Sequence, residues 1–283
     1  PGYVSLSEKK RLGVPPHLYC RPLTARLTEG STFAIIENPS AQNAIFLRQH
    51  ELDAAFLSPI EYAREGSEYR IVPRVALSSS EGVVAAVLCF REKMKAITTM
   101  AADPAATSEI VLAKILLGEQ FDVQPKIVPA VGSLSEMLAV ADAALLVGNA
   151  ALGKHTTVPY TIDLVEEWFE MTDLPYVHGF WCGREGALSK DEIRAIQHAR
   201  TEGGLSLHDV SKGIPPAAAS ALMPYEIEEY LEHFSYDLPD DVQYALTEFL
   251  RYAYFHGVLP DVPDIEFYSL DVGPDLPAAP LLN

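Results

Sequence analysis

The chain alternates strand-sized apolar runs with corners that open helices, and this alternation limits its folds more than any other feature. Leu52 to Leu57 reads LDAAFL, a run suited to a short buried strand. Ser58-Pro59 follows at once and predicts a helix start. Proline suits a first helical turn because the N–H it lacks would be unpaired there anyway, and Glu61 falls near the helix's positive end. Upstream, Phe33 to Ile36 is β-like and ends at Glu37-Asn38-Pro39-Ser40, with Ser40 expected to cap a helix over 41–49. Strand, helix, strand and helix within about 30 residues is the pattern of parallel βαβ units.

The pattern continues downstream. Arg11 to Leu27 reads as a short strand and a turn, with Pro15, Pro16 and Pro22 opposing a long helix. Tyr69 to Ser78, Ile97 to Met100, Ile127 to Pro129, Ala143 to Val147 and Tyr176 to Cys182 are strand candidates. Val83 to Phe90 (VVAAVLCF) is uniformly apolar, as a strand covered on both faces would be. Helices are expected over 109–118, 133–141 and 163–171, and from Ser189 onward over 191–201, 207–213, 225–234 and 239–256. The acidic, proline-rich tail from Pro260 reads as irregular. Two sheet-forming blocks with no Gly/Ser linker between them suggest lobes that exchange chain. We expect lobe one over 1–87 plus 183–283 and lobe two over 88–182, with a ligand cleft at strand carboxyl ends and helix amino ends.

Composition narrows the function. A net charge of −18 disfavours non-specific binding to nucleic acid or to an anionic membrane, and it would repel an anionic ligand at long range. An anion site must then rely on local donors, such as helix N-termini and hydroxyls. No apolar run approaches membrane-spanning length. No apolar core follows Lys9-Lys10-Arg11, so an export signal is not expected and a cytoplasmic setting is. The three cysteines, Cys20, Cys89 and Cys182, lie far apart and suit free thiols rather than a disulfide framework or zinc site. No GxGxxG, GxxxxGK[ST] or GxSxG occurs, and no histidine pair has metal-ligand spacing, so no cofactor and no metal are expected.

Candidate ligand contacts sit at the strand–helix corners: Ser58, Thr107 and Ser108, Asn149, and Ser80 in the Ser78-Ser79-Ser80 run beside Gly82. His17 and His178 can each approach the same cleft. A carboxylate at Glu109, at a helix start, is a candidate general base. Trp168, Phe180 and Trp181 read as core.

The sequence resembles the chorismate dehydratase family of the futalosine route to menaquinone across nearly its whole length. RLGVPPHLYCRPL (11–23) looks like that family's opening strand and turn. ELDAAFLSPIEYAREGSEYRIVP (51–73), VLAKILLGEQFDVQP (111–125), ADAALLVGNAAL (141–152), DLVEEWFEMTDLPYVHGFW (163–181) and GLSLHDV (204–210) are similar to further family segments. The resemblance implies a two-lobed α/β fold of the periplasmic-binding-protein-like type II class, with the ligand cleft between lobes. It also implies a cytoplasmic, cofactor-free hydro-lyase, monomeric or homodimeric, that removes water from chorismate to give 3-[(1-carboxyvinyl)oxy]benzoate. This chain departs from the family at four pocket positions. Tyr19 stands for an asparagine, Ala86 for a serine, Ala106-Thr107-Ser108-Glu109 for Ser-Arg-Thr-Ser, and Gly148-Asn149 for Gly-Asp. The expected catalytic residues are Glu109 and Tyr19. The expected substrate contacts are Ser58, Ser80, Ala86, Thr107, Ser108, Asn149 and His178. The alternative is a non-catalytic binding protein, or a sister enzyme, for a related aromatic or cyclohexadienyl carboxylate.

Overall fold

A computed structural model describes residues 9–30, 32–152, 158–200, 207–215 and 222–270. The chain opens with β1 (Lys10–Val14), α1 (Arg21–Glu29), β2 (Phe33–Glu37), α2 (Ser40–Arg48), β3 (Ala54–Leu57), α3 (Pro59–Arg64), β4 (Tyr69–Ile71) and β5 (Val75–Ser79). The middle comprises β6 (Ala86–Phe90), β7 (Thr99–Ala102), α4 (Thr107–Phe121), β8 (Lys126–Pro129), α5 (Leu134–Val140), β9 (Ala143–Val147), β10 (Tyr160–Asp163) and α6 (Leu164–Thr172). The last part carries β11 (Tyr176–Arg184), α7 (Lys190–Arg200), α8 (Leu207–Gly213), α9 (Pro224–Glu232), β12 (Ser235–Asp237) and α10 (Asp240–Phe255).

Two sheets make two lobes. The first has the order β12-β5-β11-β3-β1-β2, with β4 also paired to β11, and the second has β10-β6-β9-β7-β8. Both mix directions. β1 runs parallel to β2 and β3, and β7 parallel to β8 and β9, as expected of βαβ units. β11 is antiparallel to β3, β4 and β5, and β6 is antiparallel to β9 and β10.

The expected lobe boundaries shift. β6 lies wholly in the second sheet, so the first crossing falls in the irregular stretch before Ala86. There Val84 adopts a left-handed φ of 56° and its N–H donates to Asp163 Oδ2 at 2.8 Å. The apolar run from Val83 is therefore a strand only over its second half. β11, divided in the sequence reading between the lobes, is a central strand of the first sheet, so the return crossing precedes Tyr176.

Other differences have local causes. Helix α1 forms despite Pro22 because that proline sits in its first turn, where no N–H is needed. Ser40 does not cap α2; its Oγ accepts from the Ser58 N–H at 2.9 Å and ties the β2 and β3 corners together. Asp163 caps α6, its Oδ1 accepting from Val165 N–H and Glu166 N–H. Trp168, Phe180 and Trp181 are fully buried, and Trp168 Nε1–H donates to Pro175 O at 3.1 Å. Residues 201–206, the chain start and the tail beyond Leu270 lie outside the described residues.

Candidate functional site

The carboxyl ends of the strands in both sheets converge on one cavity of about 320 Å³, within the usual range of small-molecule sites. The first lobe contributes the β1 corner (Pro15, Pro16, His17, Tyr19), Ser40, Phe56 and Ser58 on and after β3, and His178 on β11. The second contributes Asp103 after β7, Glu109 in the first turn of α4, the Ala130 to Gly132 turn, and β9 with Asn149 beyond it. Phe56 and Ser58 share a face because side chains alternate along an extended strand, which leaves Leu57 for the core.

Five of the expected site residues meet on this cavity: Tyr19, Ser58, Glu109, Asn149 and His178. Ser80, Ala86, Thr107 and Ser108 are not among the described residues that line it. Ala86 is buried in the β6–β9 ladder opposite Val147. Ser108 turns the other way, and its Oγ accepts from the Ile60 N–H of α3 at 3.0 Å, joining the lobes. Thr107 Oγ1 is buried without a partner. Asn149 lines the cavity, but its amide is committed to the protein. Its Oδ1 accepts from Leu18 N–H at 2.9 Å and its Nδ2–H donates to Pro16 O at 3.1 Å. It thus grips the backbone on both sides of His17. The His17 ring packs on Gly148, which holds φ 60°; a Cβ there would lie 2.1 Å from His17 Nδ1.

The walls are aromatic and weakly polar. Tyr19 lies 5.0 Å from the His17 ring, 5.4 Å from His178 and 5.3 Å from Phe234. Tyr176 meets His178 edge-on at 4.9 Å. His178 Nε2 and Ser79 Oγ are 2.7 Å apart. Ser58 Oγ is buried and unpartnered. Burial disfavours charge throughout. It lowers His17 to about 4, against an opposing pull from Asp103, and lowers His178 to about 3, helped by His17. Burial raises Glu109 to about 7, against a hydrogen bond from its own backbone N–H. Burial also raises the Tyr19 and Tyr176 phenols, with Glu109 adding to both. No lysine or arginine lies among the described lining residues, so the polar groups offered to an acidic ligand are hydroxyls and imidazoles. No cluster of His, Cys, Asp and Glu suited to a metal occurs among the described residues. No helix among them is long and apolar enough to cross a membrane.

Sequence reasoning did not single out Phe56, Ser40 or Asp103, and it kept His17 only as a neighbour of the cleft. The spacing of Phe56 and Ser58 was the available signal for the first.

Two lobes with a small-molecule cavity where their strand ends meet define the architecture of the periplasmic binding proteins. The Escherichia coli periplasmic aliphatic sulphonate binding protein SsuA superposes with a TM-score of 0.58 at 15% identity, covering 91% of this chain and 96% of its own. Protein AF1704 of Archaeoglobus fulgidus superposes at 0.70 with 18% identity, covering 90% of this chain and 100% of its own. Within that class, a family model described as "Menaquinone biosynthesis" matches residues 10–255, and the chain belongs to that family. The chorismate dehydratase of Thermus thermophilus is 25% identical over 257 residues, 84% of this chain and 93% of the relative.

Proposed function

We propose that this cavity binds chorismate, or a close cyclohexadienyl carboxylate, and removes water from it to give 3-[(1-carboxyvinyl)oxy]benzoate. The observation that carries the reading is the cavity itself: a cleft between the lobes with an aromatic wall of Tyr19, Phe56 and His178 and a buried Glu109 in its lining, in a chain of the menaquinone-biosynthesis family. A relative bearing the name chorismate dehydratase supports the choice of substrate. Loss of water turns the cyclohexadiene into an aromatic ring, so the reaction is downhill once the ring proton and the hydroxyl leave. The site works by holding the reactive conformer and excluding bulk water. In this reading the unpartnered Ser58 hydroxyl receives a carboxylate, Tyr19 and His178 flank the ring, and Glu109 faces the reacting bonds. Ser108 and Asn149 shape the cavity through their bonds across the lobes. The enzyme is cofactor-free and cytoplasmic, as a monomer or homodimer.

A second reading has one observation in its favour. Asp103 and Glu109 line a cavity with no lysine or arginine among its described walls, which suits a less acidic ligand held without catalysis. Incubating purified protein with chorismate, and following its diene absorbance with mass spectrometry of the product, separates the two. Loss of one water supports the dehydratase. Chorismate left intact refutes it and favours the binding protein.

A further inference from the structure

Helix α10 reads DDVQYALTEFLRYAYF, and its two faces differ. Val242, Ala245, Leu246, Phe249, Leu250 and Ala253 are buried, and Phe249 meets Tyr176 edge-on at 5.5 Å and Trp168 at 5.7 Å. On the outer side Tyr244, Glu248, Arg251 and Phe255 follow one another at spacings of 4, 3 and 4 residues. That spacing keeps side chains on one seam, as in a helix that packs along a second helix. Tyr244 is 55% exposed and Phe255 72%, which leaves two large aromatic rings in water. The Arg251 guanidinium pairs with the Glu248 carboxylate between them. Other exposed apolar side chains, such as Val140 on α5 and Tyr160 on β10, stand singly on their elements.

We propose that the outer face of α10 is a homodimer interface, on which α10 of a second copy lies antiparallel about a two-fold axis passing between Phe249 and Leu250. That axis sets Tyr244 against the partner subunit's Phe255 and Glu248 against the partner subunit's Arg251. Each contact then occurs twice, as an isologous interface requires. The register opposes no like charges. The charged residues of α10 are Asp240, Asp241, Glu248 and Arg251, and the two aspartates fall opposite the partner subunit's Leu259 and Val258. A parallel pair would instead set Glu248 on Glu248 and Arg251 on Arg251. Charge complementarity therefore selects a second copy of this chain and fixes its direction. A guanidinium has more N–H donors than Glu248 engages, so Arg251 can serve both carboxylates.

The size of the seam sets the strength. Tyr244 and Phe255 lie about 16 Å apart along the helix axis. One helix pair of that length buries less than the roughly 1,200 Å² of a standard interface, so the dimer is weak and reversible, with a Kd on the order of 10–100 µM. The net charge of −18 on each copy opposes association at low salt. At about 0.15 M salt that repulsion is screened beyond about 8 Å, while the seam contacts act at shorter range. None of the four seam residues lines the cavity, so the proposal stands independently of the function assigned to it.

The test is sedimentation velocity of the full chain between about 2 and 200 µM in about 0.15 M salt. We expect a reversible shift from monomer to dimer across that range. F255E should raise Kd at least about tenfold, and so should E248R, which sets arginine on arginine. The double variant E248R/R251E restores complementarity and should return Kd to within about threefold of wild type, a recovery that also excludes misfolding of E248R. A short bis-maleimide should join Y244C to F255C when the two variants are mixed, and should not join F255C to itself. Cys20, Cys89 and Cys182 are buried and stay silent in this assay. A monomer throughout the range overturns the proposal. So does a dimer that F255E and E248R leave unchanged, which would place the interface elsewhere. Failure of the double variant to recover, or crosslinking of F255C to itself, overturns the antiparallel register.

Discussion

Gly148→Ala tests how the cavity wall is built. Gly148 holds φ 60°, where an alanine costs about 1 kcal/mol relative to glycine. The new methyl would also sit 2.1 Å from His17 Nδ1, 2.4 Å from Cε1 and 2.6 Å from Cγ, so the ring must move by more than an ångström. Overpacking of this kind costs about 1–3 kcal/mol, and the ring cannot retreat freely because Asn149 holds the backbone on either side of it. The sum is a loss of about 2–4 kcal/mol, read as a lower urea midpoint at unchanged slope. The double variant H17A/G148A should recover the packing part and keep only the backbone part, about 1 kcal/mol relative to H17A. A single-variant loss below about 0.5 kcal/mol, or no recovery in the double variant, would refute the idea that His17 is seated on Gly148.

Three further outcomes follow from the same contacts. Asn149→Asp keeps the acceptor for Leu18 N–H, but loses the donor to Pro16 O and sets a carboxylate oxygen against that carbonyl; thermal unfolding should show a loss of about 1–2 kcal/mol, and an unchanged melting temperature would count against the grip. Burial raises Glu109 from 4.5 to about 7, so the folded state binds this proton more tightly than the unfolded chain, and the group's contribution to stability is lost as pH rises through 7. Glu109→Gln should therefore gain on wild type by roughly 3 kcal/mol between pH 4 and pH 8 in denaturant titrations; a constant difference would show an unburied carboxyl. Cys20, Cys89 and Cys182 are all buried, and burial raises each thiol, Cys89 to about 11. A thiol reagent at pH 8 should find none in the native protein and all 3 in denaturant.

Much of this architecture is written in local pattern. LDAAFL followed by Ser58-Pro59 gave β3 and α3 because a buried strand and a proline-opened helix each have a short-range signature. The edge strands β10 (YTID) and β12 (SYD) have none. They are short and partly polar, and they exist because a neighbouring strand offers them a ladder. Val83 to Phe90 misled for the opposite reason. Its composition suits a strand throughout, but the crossing between lobes needs a bend, and Asp163, 79 residues away, fixes Val84 in it. The same limit applied at the site. Residues at the ends of strands could be placed on the cavity from the βαβ pattern alone. The fate of Ser108 and Asn149 depended on Ile60, Pro16 and Leu18, partners 48 to 133 residues distant, which no local signal announces.

One apolar cluster continues from Leu57 and Ile60 beneath the first sheet, through Leu112 and Leu116 of α4, to Leu88 and Leu145 of the second. Swinging the lobes apart would wet that seam at about 25 cal/mol for every Å². Releasing the Pro15–His17 corner breaks the two hydrogen bonds from Asn149, at about 1 kcal/mol each. We expect the Pro15–His17 corner to open before the seam, so that a crosslink across the mouth should trap a small-molecule ligand that a crosslink across the seam would let go.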